Sequence, residues 1–265
     1  MRRAATHVNN LVLLGFLGSL AAGLMTTVGA VPVLLGSTPS ERTRDTLLGF
    51  AAGVMLAASF FSLIVPSIDL STERYGEGAL PAAIAVAGIL LGFIVVAALN
   101  ALLPHEHFVV GREGPPSPAL RKVWLFIIAI TIHNLPEGVA VGVGFGSGDF
   151  DRGFALALGI GLQNAPEGLA VAVALIGQGY TRVRAFTIAA LTGLIEPVGG
   201  LLGAWAVTLA QPVLPWGLAF AAGAMLYVIS HEIIPETHRS GFQNQATTGL
   251  AIGLCLMLFL DVWLG

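Results

Sequence analysis

Charged residues are scarce in this sequence: they make up 10% of its 265 positions, against 55% that are hydrophobic. A soluble domain of this length would interrupt its apolar stretches more often. The scarcity therefore excludes an ordinary water-soluble fold and points to a polytopic protein whose solvent is the lipid bilayer. Net charge is −3, which leaves no basic footprint for nucleic acid. Cysteine is nearly absent as well. The single Cys255 excludes an intramolecular disulfide and reads as a small buried residue. No cleavable signal peptide is expected: the apolar run at 11–35 behind Arg2 and Arg3 exceeds the usual length and lacks a small-residue cleavage site.

What the sequence has instead is glycine, at 34 positions, which suits close approach of helices in lipid. It also has eight apolar runs long enough to cross a bilayer as helices, near 11–35, 46–68, 79–103, 122–145, 153–176, 183–209, 214–236 and 246–264. These define one all-α transmembrane domain over 1–265, whose longest connection, 104–121, is a flexible loop. The connections after runs one, three, five and seven hold Arg42, Arg44, Arg112, Arg121, Lys122, Arg182, Arg184 and Arg239. The other side holds Arg2, Arg3, Arg74 and Arg152. This bias predicts that the first set is cytoplasmic and both termini are extracytoplasmic.

The chain also repeats itself. FAAGVML at 50–56 in run two returns as FAAGAML at 220–226 in run seven, and HNLPEG at 133–138 in run four returns as QNAPEG at 163–168 in run five. Each pair of runs is separated by an odd number of crossings, so its members run antiparallel. The pattern predicts a 3+2+3 arrangement of inverted repeats about a central pair, a plan that places binding sites near the midplane. The small FAAG residues suit a smooth sliding surface.

The central pair carries the chemistry. A charged group near the bilayer centre costs roughly 2.5–3.5 kcal/mol on insertion scales, so Glu137 and Glu167 imply a function. On a helix, residues three and four apart share a face. His133, Glu137, Gln163 and Glu167 can therefore converge on one cation, and Asn134, Glu137, Asn164 and Glu167 on a second. Pro136 and Pro166 cannot donate to the carbonyls of Ile132 and Leu162, which opens polar space at membrane depth. Run six adds Glu196, before Pro197. No Lys or Arg lies in the interior of any expected span, so these glutamates are neutralised by protons or by a metal ion, and the two compete. Taken singly, Asn134 and Asn164 read equally well as glue between helices. Near the membrane ends, His231 and Glu232 could take a departing cation. His105 and His107 read equally as a metal relay or a solvated loop, and Asp69 as an acid at the outer mouth or an interfacial helix end.

With HNLPEG, QNAPEG, the Glu of run six and eight spans, the chain resembles the ZIP (Zrt/Irt-like) family of divalent-metal transporters, in particular its bacterial members. The resemblance implies a transporter rather than an enzyme, in the bacterial cytoplasmic (inner) membrane, with extracytoplasmic termini and a homodimer compatible with the fold. It implies that Met55 joins His133, Glu137, Gln163 and Glu167 around a primary site, and that Asn134, Asn164 and Glu196, with the bridging glutamates, surround a secondary one. Asp69 resembles the outer acid, and His231 and Glu232 the inner ligands. It also implies an elevator motion of spans one, four, five and six against spans two, three, seven and eight. Asn164 stands where some bacterial relatives carry Asp, and Gln163 where many members carry His, so the secondary site has one fewer negative charge. Imidazole, amide and carboxylate donors suit Zn²⁺ first, with Cd²⁺, Fe²⁺ or Mn²⁺ as other cargoes, moved into the cytoplasm. The competing expectation from another class is an intramembrane metal-dependent hydrolase, in which bound metal activates water.

Overall fold

The structure is a computed structural model that describes residues 2–36, 39–107, 111–113, 122–209, 211–238 and 241–264. Eight helical spans follow the eight apolar runs. They are Arg2–Leu34 (span one), Glu41–Tyr75 (two), Ala79–Leu102 (three), Lys122–Gly146 (four), Phe150–Gly177 (five), Arg182–Leu209 (six), Leu214–Thr237 (seven) and Gln243–Leu264 (eight). Side chains set several starts by accepting from orphan backbone N–H groups. Ser40 accepts from Thr43 at 3.1 Å, Asp149 from Arg152 at 3.1 Å and Thr181 from Arg184 at 3.4 Å. Span two stops at Gly76, whose φ of 81° suits glycine and whose N–H donates to the Thr72 carbonyl.

Three local departures bear on function. The connection after span three holds a small antiparallel hairpin, β1 (His105–His107) with β2 (Gly111–Glu113), where a flexible loop was expected. Span six is broken at Leu194 and Ile195, so that Glu196 opens a new helical segment, Glu196–Leu209. Spans two and seven each widen into a π-helix, at Ala58–Ile64 and Ile229–Ile233. In both, a proline follows the widened turn, Pro66 or Pro235, and lacks the N–H that the carbonyl of Ser62 or His231 would use in an α-helix. The residue before each proline donates five positions back instead, Val65 to Phe60 and Ile234 to Ile229.

Packing divides the spans into two groups. Spans one, four, five and six interlock through glycine faces that touch backbone. Gly23 lies on the Gly193 carbonyl, Gly29 on Ala165, Gly138 on Glu196 and Gly168 on Thr26. Spans two and eight, and spans three and seven, interlock in the same way: Gly53 meets Leu250, Gly253 meets Phe50, Gly92 meets Phe220 and Gly223 meets Ile89. The register obeys the inverted repeat. Gly249 and Gly253 of span eight face the carbonyls of Thr46 and Phe50; Gly88 and Gly92 of span three face those of Trp216 and Phe220, their counterparts in the FAAG repeat. Likewise, the pairing of span one with five mirrors that of span six with four.

Two expectations change here. The glycine of each FAAG repeat does not line a sliding surface; Gly53 and Gly223 face span eight and span three, because only a residue without Cβ permits that backbone approach. Cys255 is exposed on span eight rather than buried, on a face with the exposed Ile252 and Phe259.

Candidate metal centre

The two PEG motifs lie on helices that continue through Pro136 and Pro166, so the i, i+4 spacing is preserved across each motif. His133, Glu137 and Glu167 meet at the contact of spans four and five. One donor atom from each lies within 4.8 Å of the others, and all three residues are buried. His133 Nε2 is 3.6 Å from Glu137 Oε1 and 3.4 Å from Glu167 Oε2. On its far side, His133 Nδ1 lies 3.3 Å from Glu232 Oε2 of span seven. With the ring proton on Nδ1, donated to Glu232, the Nε2 lone pair faces the two carboxylates. A carboxylate behind an imidazole in this manner fixes the ring and its tautomer for ligation.

Next to this triad lies a second polar layer, also buried. Asn134 Nδ2 donates to the Thr192 carbonyl at 3.3 Å, beside the break in span six. Asn164 Nδ2 donates to Glu196 Oε1 at 2.7 Å and to the Ala22 carbonyl at 2.9 Å. Gln163 Nε2 donates to Asn164 Oδ1 at 2.7 Å.

Several lone pairs in the cluster have no hydrogen-bond partner. They are both oxygens of Glu137, Glu167 Oε2, His133 Nε2, Gln163 Oε1, Asn134 Oδ1 and Glu196 Oε2. A buried acceptor left unsatisfied costs about 1–3 kcal/mol, more when charged, and native interiors avoid it. Here the atoms are nearly all acceptors, and those of His133, Glu137 and Glu167 converge at one place. That donor set is what a cation requires.

The remaining candidates lie outside the triad. Met55 is fully buried in span two, in the apolar core that also contains Ile132 and Ile160. Asp69 is exposed, beyond the π-turn of span two and outside the triad. His231 is half-buried, with its ring 5.0 Å from that of Tyr227. His105 and His107 sit in β1, and their side chains lie outside the described residues. Asp261 accepts from the Ser62 hydroxyl at 2.6 Å and ties span eight to the π-turn of span two.

Sequence reasoning missed that Glu232 reaches His133 directly, because a regular helix does not reveal where a widened turn aims a side chain. Pro235 was the available signal. The carbonyls of Ala22 and Thr192 leave no trace in the sequence at all.

The fold and this cluster define an integral membrane protein of the helical transporter class with an intramembrane cation centre. Comparison with known proteins specifies the class. Residues 105–261 match the family model described as ZIP Zinc transporter. The chain is 47% identical to zinc transporter GufA of Myxococcus xanthus, over 95% of this chain and 99% of that one. It is 45% identical to zinc transporter ZIPB of Bordetella bronchiseptica, over 94% and 81% of the two chains. It is 36% identical to zinc transporter ZIP11 of Homo sapiens, over 94% and 96%. The chain belongs to the ZIP zinc transporter family, which is a family of transporters and not of enzymes, so the hydrolase expectation is set aside.

Proposed function

We propose that the protein carries Zn²⁺ into the cytoplasm, with His133, Glu137 and Glu167 as the ligands that hold the ion in transit. The observation that carries this reading is the triad itself: three buried groups from two spans, each offering a donor atom within 4.8 Å of the others, with unsatisfied lone pairs among the described residues. Two carboxylates balance one divalent charge, and a neutral imidazole suits a borderline ion. Fe²⁺ and Mn²⁺ bind such donors more weakly by the usual order of stabilities, and Cd²⁺ shares the site by similar softness. Gln163 Oε1 and the sulfur of Met55 complete the shell in this reading.

Direction follows from the basic residues. Eight of the twelve Lys and Arg fall on the side assigned to the cytoplasm, which puts the termini outside and the whole single domain in the cytoplasmic membrane. Asp69 then attracts ions at the outer mouth, and Glu232 and His231, with His105 and His107, receive them on the inner side.

The packing supports a rigid-body mode of transport. Inside each group of spans, glycines touch backbone and lock the helices. Between the groups, Gly159 meets the side chains of Met257 and Val54, and Gly217 meets those of Val207 and Val143. Side-chain ends slide and repack more readily than interlocked backbones. The His133–Glu232 bond crosses this divide and is broken when the bundle moves. Uptake of radiolabelled Zn²⁺ into proteoliposomes tests the reading: wild type accumulates the ion down its gradient, and Glu137→Ala does not. Equal uptake by the two proteins would refute it.

A further inference from the structure

Asn164 faces two acceptors and one donor, and its orientation is determined by them. The Ala22 carbonyl can only accept, so the amide end of the side chain is the one that points at it and at Glu196. Its oxygen is then left to accept from Gln163, as it does. All three polar connections of Asn164 are thus to protein, from spans one, five and six, in a setting with no solvent exposure.

We propose that Asn164 closes the secondary half of the centre, so that this chain carries a single transport ion where an acid at the same position would admit a second. The inference rests on the reading of His133, Glu137 and Glu167 as ligands of the primary ion. The amide occupies the place a cation would take: it supplies one N–H to the Glu196 carboxyl and one to the Ala22 carbonyl, two acceptors that otherwise face each other. It also positions Gln163, whose own N–H is turned to Asn164 while its oxygen has no hydrogen-bond partner among the described residues.

Charge balance points the same way. Within the bundle of spans one, four, five and six, Glu137 and Glu167 neutralise one divalent ion and leave Glu196 with the amide. Three carboxylates cannot neutralise two divalent ions, whereas four can. Glu232 does not alter the balance of the bundle, because it stands on span seven with the imidazole between it and the centre. An Asp at 164 would remove both N–H groups and bring its oxygens against the Ala22 carbonyl and the Glu196 carboxylate. Only a cation relieves that convergence of acceptors at this depth. Asn164 is therefore a positioning residue that determines stoichiometry.

The test is the number of Zn²⁺ ions bound per chain by the purified full-length protein, measured by equilibrium dialysis with elemental analysis. Wild type is expected to hold one, lost in Glu137→Ala. Asn164→Asp is expected to hold two, the second lost on adding Glu196→Gln. Two ions in wild type would overturn the proposal without touching the primary site. No ion in wild type would overturn the ligand reading beneath it. A single ion in folded Asn164→Asp would show that the amide is not what closes the half-site. If that variant does not fold, the wild-type count still decides. A residue with only a structural role would leave the count unchanged.

Discussion

Removing a carboxylate from the triad and removing the carboxylate behind it are different operations. Glu137 presents two buried oxygens with no hydrogen-bond partner among the described residues, so Glu137→Ala should delete a ligand of the proposed site. Structural zinc sites of four ligands supply about 10–16 kcal/mol, and by that scale the loss of one ligand here should weaken Zn²⁺ binding on the order of 100-fold. Glu232 stands behind His133, with its Oε2 3.3 Å from the far ring nitrogen Nδ1. Glu232→Gln should weaken binding by about 10-fold, the usual cost of an altered supporting contact. Titration calorimetry on the two variants separates the roles; equal losses would make Glu232 a ligand. In the proposed site, protons and Zn²⁺ compete for the lone pairs of His133 and Glu137. Each bound proton must leave before the metal can ligate, so affinity should fall steadily from about pH 7.5 to about pH 5.5. A flat profile over that range would mean that these groups are not the ligands.

At the scale of the helices, glycine decides how near the site's elements lie. A Cβ at Gly138 would run into the backbone of Glu196 itself, with no flexible side chain to yield. Gly138→Ala should therefore push the second segment of span six away, costing about 1–3 kcal/mol of stability and much of the transport. Gly177→Ala, where a Cβ meets nothing within 4 Å, should be neutral or slightly stabilising. Thermal unfolding of both in detergent checks the contrast. Much of this scale was legible in the sequence. Each apolar run falls on one span, although span one starts nine residues earlier than its run and span two ends seven residues later. The PEG motifs fall on one face each because their prolines do not stop the helices. The break at Leu194–Ile195 and the π-turns were not legible. Apolarity is blind to hydrogen-bond register, and Pro66, Pro197 and Pro235 mark only that some donor is missing. Nor could spacing alone reveal that Asn164 is committed to Glu196 and Ala22, since those partners come from other spans.

For the molecule as a whole, the two interlocked groups of spans predict that binding and movement can be separated. Gly159 sits on the divide, and a Cβ there meets the flexible end of Met257. Gly159→Ala should keep Zn²⁺ affinity near that of wild type while slowing uptake several-fold, on the view that lid and domain motions set turnover. Loss of affinity in step with uptake would argue against a sliding divide. The 104–121 connection should be shielded from membrane-impermeant reagents in intact cells if the charge bias sets orientation. The central claim is that the ion rests on the triad of spans four and five, and the most direct measurement is the anomalous scattering of zinc in crystals of the Zn²⁺-loaded protein. The account predicts a peak bonded to His133 Nε2 and to oxygens of Glu137 and Glu167. Zinc bound elsewhere in the bilayer-spanning region, with those three side chains out of contact with it, would contradict the account.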